Sequence, residues 1–214
     1  EECATFEKLL PEMRNALVYP AVEEAPTGPG GNDIVIVASG NFPNTLSVEW
    51  FLEQVAPKAP HAQVKIAGNV DGALKARNPA LFENWKHLFL GRVDDIGAIY
   101  ANAGLVLLPT TEGHGLSIKA VEALSCGAPL IATPQAFRGM RVDPASLANV
   151  TLRTDAESFA AALEAAALAG PADNPGSGGA ARKASDTRKF YEANFSPAAY
   201  RRSILDIVLP LVKA

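Results

Sequence analysis

Short unbroken apolar runs alternate along the chain with stretches whose apolar residues recur every three or four positions, and glycine or proline separates them. The runs 33–39 (DIVIVAS), 64–67 (VKIA), 88–90, 105–108, 129–132 (PLIA) and 150–152 are predicted strands, buried on both faces. Between the first two, Val48, Phe51, Leu52 and Val55 fall at i, i+3, i+4 and i+7, the buried face of a helix that Pro57 ends. Residues 69–85 are weakly helical, with Leu81, Phe82 and Trp85 as anchors. A further helix carries Ile96, Ile99 and Tyr100, another lies between Ser117 and Gly127, and Asp155 caps an alanine-rich helix running through Leu168.

The ends are less regular. Residues 1–10 predict a helix, 15–19 (NALVY) a strand stopped by Pro20, and 21–32 a Pro/Gly connector without a core pattern. Residues 170–182 (GPADNPGSGGAAR) have the composition of a flexible excursion, and 183–194 and 197–212 predict two closing helices. The last is very apolar, is interrupted by Pro210, and needs a surface to pack on, either this core or a neighbour outside it. Strands alternating with helices through short connections give an α/β fold, a Rossmann-like and mostly parallel sheet with helices on both faces.

Composition narrows the partners. A formal net charge of -4 over 214 residues argues against nucleic acid as the main partner. No apolar run reaches the roughly 18 residues of a membrane span and no leader pattern opens the chain, so a soluble, cytoplasmic protein is expected. Cys3 and Cys126 are expected to be buried free thiols rather than a disulfide.

The stretch 104–133, GLVLLPTTEGHGLSIKAVEALSCGAPLIAT, organises the rest. A strand, a loop holding Gly113 and Gly115, and a helix follow in that order, which sets free N–H groups and a positive dipole end at the carboxyl edge of a parallel sheet, where phosphates bind. On that helix Lys119 and Glu122 share the sector left free by the apolar arc. They form either an i,i+3 ion pair on a solvated face or the lining of a cleft in which Glu122 accepts from vicinal sugar hydroxyls and Lys119 lies near a phosphate. Asp94 and Asp95 stand at a helix start, where capping outweighs metal binding. His61 and His87 are expected at the surface, and Ser117 has no His and Asp partners for a hydrolase triad.

The run EGHGLSIKAVEALSCGAPLIAT resembles the donor-binding motif of glycosyltransferase family 4, retaining enzymes of the glycosyltransferase-B fold. Gly40 with Pro43-Asn44, KIAG at 65–68, FLGRVDDI at 89–96 and Leu108-Pro109 extend the resemblance over most of the chain in order. It implies that Glu122 binds the nucleotide ribose, that Gly115, Leu116 and Ser117 offer backbone N–H groups to the diphosphate, that Arg92 and Val93 flank the base, and that Gly40 and Asn41 lie near the phosphates across the cleft. The donor would be a UDP- or GDP-sugar, with no cofactor and no metal, and the acceptor a sugar, a lipid-linked sugar or a polysaccharide. The resemblance further implies that 1–32 is a crossover segment following an N-terminal domain outside this chain, that 33–214 is the nucleotide-sugar-binding domain with its closing helices, and that the isolated chain transfers no sugar. Peripheral membrane association is open to the full-length enzyme.

Three departures stand out. The glutamate expected eight residues before Glu122 is replaced by His114, with Glu112 two residues earlier, so either is the candidate for the catalytic, sugar-contacting role. Lys119 matches a variant with lysine three before the ribose glutamate. The Arg/Lys pair expected after the first strand is absent from GNFPN, leaving Lys119, Arg92 or Arg138 to compensate. The alternatives are a non-catalytic scaffold module that kept the fold, and a sugar-nucleotide epimerase of the same fold.

Overall fold

The computed structural model describes residues 2–13, 15–170, 173 and 176–212. Six strands, β1 (Asp33–Val37), β2 (Val64–Ala67), β3 (Phe89–Gly91), β4 (Ala103–Leu108), β5 (Leu130–Ala132) and β6 (Val150–Leu152), form one sheet in the order β3-β2-β1-β4-β5-β6. Every neighbouring pair is parallel. The chain order reverses between β1 and β4, so a crevice opens at their carboxyl ends.

The pleat sorts the apolar runs. Ile34 and Ile36 of β1, with Ile66, Leu105 and Leu107, face a core closed by α2 (Phe42–Trp50), α3 (Val70–Arg77), α4 (Pro79–Trp85) and α7 (Ala156–Ala169). Val35 and Val37, with Val106 and Leu108, face the other, closed by α5 (Ile96–Asn102), α6 (Ile118–Cys126) and α9 (Asp186–Asn194). Burying each such side chain contributes about 1.5–3 kcal/mol. The predicted helix face Val48, Phe51, Leu52 and Val55 is fully buried, and the helix passes through a π turn, Phe51–Val55, and a 3-10 turn, Ala56–Lys58, that contains Pro57. Residues 69–85 form two helices rather than one weak helix, and Val70 and Leu74 are buried more deeply than Leu81, Phe82 and Trp85.

The ends of the chain depart further from expectation. Residues 15–19 form no strand, because their backbone pairs with no ladder; Tyr19 instead stacks on Phe195 with ring centroids 4.6 Å apart, and its hydroxyl accepts from the Arg141 N–H at 2.7 Å. The connector 21–32 has no regular structure, as expected, but is anchored where Ala25 is buried and its N–H donates to Ser125 Oγ at 2.8 Å. The excursion 170–182 is ordered at its end, where α8 (Gly179–Ala184) carries a fully buried arginine; residues 171, 172, 174 and 175 lie outside the described residues. Arg182 donates through Nε to Ser177 O at 2.7 Å and through Nη1 to Thr27 O at 2.8 Å and Tyr100 O at 3.0 Å, and so ties the connector, α5 and α8 together. Its guanidinium has carbonyl acceptors only, and burial lowers its pKa.

α8 and α9 replace the single predicted helix over 183–194 because Ser185 turns the chain out of helix and caps α9 through the Arg188 N–H at 3.2 Å. α1 (Glu2–Leu9) and α10 (Pro197–Val212) flank the domain. On α10, Ile204, Leu205, Ile207, Val208 and Leu209 remain 37–48 % exposed, so this core does not cover them. No helix among the described residues is long and apolar enough to cross a membrane. Cys126 is a buried free thiol whose pKa burial raises, while the Cys3 side chain lies outside the described residues.

Candidate functional site

The site is built on the two loops that leave β1 and β4 at the crevice. Buried β4 delivers the chain to Pro109, and residues 110–117 turn it into α6. Ser117 is the N-cap of α6, its hydroxyl accepting from the Ala120 N–H at 3.4 Å, and Gly127 ends the helix in the left-handed conformation at φ 70°. Among the described hydrogen bonds none uses the amides of Gly115, Leu116 or Ser117 as donors. A Cβ on Gly115 would meet nothing within 4 Å, so that side of the loop is open. An α6 of nine residues adds a positive dipole end there.

Both sequence readings of Lys119 and Glu122 hold in part. Lys119 Nζ donates to both carboxylate oxygens of Glu122, at 3.0 and 2.8 Å, with the side chains only 31 % and 22 % exposed. Lys119 also lines a cleft of about 240 Å3 at the carboxyl ends of β1 and β2, together with Ser39, Asn69, Arg92, Val93 and Ile96. Beneath the pair lies the buried Tyr100; burial first, then the charge of the Glu122 carboxylate, raises its pKa well above the usual phenol value.

The structure therefore brings Arg92, Val93 and Lys119 into one cleft, with Glu122 joined to it through Lys119. Gly40 and Asn41 stand at its edge, and apart from the Asn41 N–H, which donates to nothing among the described residues, their donors are engaged. The Gly40 N–H donates to Asn69 Oδ1 at 2.8 Å, and Asn41 caps α2 through the Asn44 N–H at 2.9 Å. Glu112 and His114 are exposed on the loop and do not line this cleft. Asp95 caps α5, accepting from the Ala98 N–H at 3.0 Å, as its position at a helix start predicts. At the surface, His61 pairs with Glu164, and His87 stacks on Trp85 at 6.0 Å.

Sequence reasoning missed Asn69 as a lining residue and Tyr100 as a neighbour of Glu122. Asn69 had a signal, since Gly68-Asn69 after β2 repeats the Gly40-Asn41 pattern after β1. Tyr100 had none beyond its place in an apolar helix face. A larger hollow, about 590 Å3, lies at the opposite rim beside the amino ends of β2 and β3, among Phe51, Pro57, Pro60, Trp85 and Leu163. It lacks helix N-termini and the topological switch, so the smaller carboxyl-rim cleft is the candidate.

No curated protein matches the sequence. Among solved structures, sucrose-phosphate synthase from Thermosynechococcus elongatus is similar at 20 % identity and TM-score 0.66, over 99 % of this chain and 56 % of that one. HepE from Anabaena, solved in complex with UDP, is similar at 16 % identity and TM-score 0.60, over 84 % and 49 %. A glycosyltransferase from Rickettsia africae is similar at 14 % and 0.55, over 99 % and 52 %. At these identities the likeness is one of fold, and the chain spans about half the length of these solved relatives. The model of the family described as Glycosyl transferases group 1 matches residues 33–167, more than half of the sequence, and the chain belongs to that family.

Proposed function

We propose that this domain binds a nucleotide-diphosphate sugar at the carboxyl rim and serves a retaining glycosyltransferase as its donor half. The observation that carries the reading is the placement of Glu122: a partly buried carboxylate between one and two turns along α6, set beside a cleft that Lys119 and Arg92 line. In this reading Glu122 accepts from the ribose hydroxyls, the amides of Gly115, Leu116 and Ser117 hold the diphosphate, and Val93 and Arg92 flank the base. The leaving diphosphate gains negative charge as the glycosidic bond breaks, and fixed N–H donors at a helix end stabilise it without reorganising and without a metal. His114 and Glu112, on the exposed part of the loop, are the candidates for contact with the donor sugar. Nucleotide-bound HepE supports the choice of UDP as the first ligand to test.

The acceptor, whether a sugar, a lipid-linked sugar or a polysaccharide, belongs to a second half of the enzyme. The exposed apolar face of α10 supports that division, and the isolated chain is expected to transfer no sugar. A scaffold module without donor binding is the second reading. It is favoured by the ion pair itself, since both oxygens of Glu122 already accept from Lys119. Calorimetric titration of the chain and of Glu122→Ala with UDP and GDP separates the two readings. Binding by the wild type that Glu122→Ala removes fits the donor site, whereas a chain that ignores both nucleotides fits the scaffold.

A further inference from the structure

Behind the loop 110–117 runs a second loop, 133–140, which leaves β5, and the two are laced together by polar groups and close backbone approach. The Thr133 N–H donates to Leu108 O at 3.1 Å and its hydroxyl to Thr110 O. Gln135 Nε2 donates to Gly113 O at 3.1 Å. The guanidinium of Arg138 lies against Gly113, where a Cβ would fall 2.6 Å from Nη2 and the backbone has φ 131°. Next to it Gly139 packs on the following turn, where a Cβ would fall 3.1 Å from Leu116 Cα. Arg138 thus touches the near side of the loop whose far side, at Gly115, is open.

Arg138 is poorly compensated where it sits. Its one described hydrogen bond runs from Nη1 to Gln135 O at 3.2 Å, its Nε is buried without a partner, and no carboxylate pairs with it among the described residues. A guanidinium stays charged even with burial working against it, so a positive charge is held against a loop whose Gly115, Leu116 and Ser117 amides donate to nothing among the described residues. The loop after β1, GNFPN, contributes no cation, Lys119 is already neutralised by Glu122, and Arg92, which lines the cleft, is assigned to the base rather than to the loop.

We propose that Arg138 is the fixed cation of the anion-binding loop: it positions Gly113 to Gly115 and neutralises a bound diphosphate through the loop. The inference rests on the donor-binding reading of the same site, and it assigns to the β5 loop a task that the loop after β1 has no residue to perform.

The test compares the wild type, Arg138→Gln, Arg138→Lys and Glu122→Ala. Each is titrated with UDP and inorganic pyrophosphate by calorimetry, and with uridine by NMR. Arg138→Gln is expected to weaken UDP and pyrophosphate by about tenfold or more, as loss of a charge-assisted contact does, and to leave uridine within about twofold. Arg138→Lys recovers most of that loss, because it keeps the charge. Unchanged UDP affinity in Arg138→Gln overturns the proposal. Equal losses for UDP and uridine also overturn it, since they mark a loop that has merely collapsed. If Glu122→Ala has no effect while Arg138→Gln still loses pyrophosphate, the ribose reading fails and the cation stands. A wild type that binds neither UDP nor pyrophosphate ends both.

Discussion

The loops after β1 and β4 leave adjacent central strands, open helices of equal length, and differ in how their side chains are held. After β1 the side chains are tied to one another and to the backbone: the Gly40 N–H is taken by Asn69, Asn41 caps α2, and the Asn44 amide donates to Ser39 O at 3.2 Å and Ser39 Oγ at 2.9 Å, while the amides of Ser39, Asn41 and Phe42 donate to nothing among the described residues. After β4 the cap is long, the amides of Gly115, Leu116 and Ser117 have no acceptor among the described residues, and Arg138 Nε is buried without one. A loop whose side chains are tied to one another favours the folded chain and is the more closed of the two. An open one holds stabilisation in reserve for whatever anion supplies the missing acceptors. The two are joined where Ser47 of α2 accepts from the Thr111 N–H at 3.1 Å, so the closed loop serves as the brace of the open one.

The comparison can be broken most sharply at Glu122. Glu122→Ala is expected to lower UDP affinity by about 30-fold or more in a calorimetric titration while the melting temperature barely moves, because loss of hydrogen bonds to a charged group is worth roughly 1.5–3 kcal/mol. A smaller effect is expected at the caps. Ser117→Ala and Asn41→Ala should each cost about 1 kcal/mol in denaturant unfolding, but only Ser117→Ala should weaken UDP, by about three- to tenfold. Equal ligand losses in the two variants would erase the distinction between the loops. Gly113→Ala should destabilise more than Gly115→Ala, since φ 131° at Gly113 lies outside the left-handed region that an alanine can reach and φ 63° at Gly115 lies within it. Thermal melts rank them directly.

The smallest effect concerns pH. The folded state holds Tyr100 protonated above the phenol range, while the unfolded chain ionises near its ordinary pKa of about 10. The unfolded state therefore binds fewer protons in that range, and stability falls as pH rises past about 10. Tyr100→Phe should flatten that alkaline fall in denaturation midpoints measured between about pH 9 and 11.

How much of this was legible in the sequence follows from the range of each interaction. The strands were readable as unbroken apolar runs and the faces of α2 and α6 as a period of 3.6, both written into consecutive residues, and Asp155 and Asp95 were readable because a cap acts three residues away. Residues 15–19 have strand-like residues, yet a strand is made by a neighbour that composition does not contain. The order in 176–184 was hidden because one buried arginine outweighs a run of glycine and alanine. At the site, the motif placed Glu122 on the correct helix but could not say that Lys119 would both pair with it and line the cleft. Tyr100 beneath Glu122, and Gln135 and Arg138 behind Gly113, meet the site across about 22–25 residues of chain, a separation that no local pattern encodes.

The most direct test is a crystal structure of the chain with UDP bound. The account predicts the diphosphate on the amides of Gly115, Leu116 and Ser117, with both ribose hydroxyls on the carboxylate of Glu122. A nucleotide seated instead in the hollow beside Pro57 and Trp85, with Glu122 still held by Lys119 alone, would contradict it.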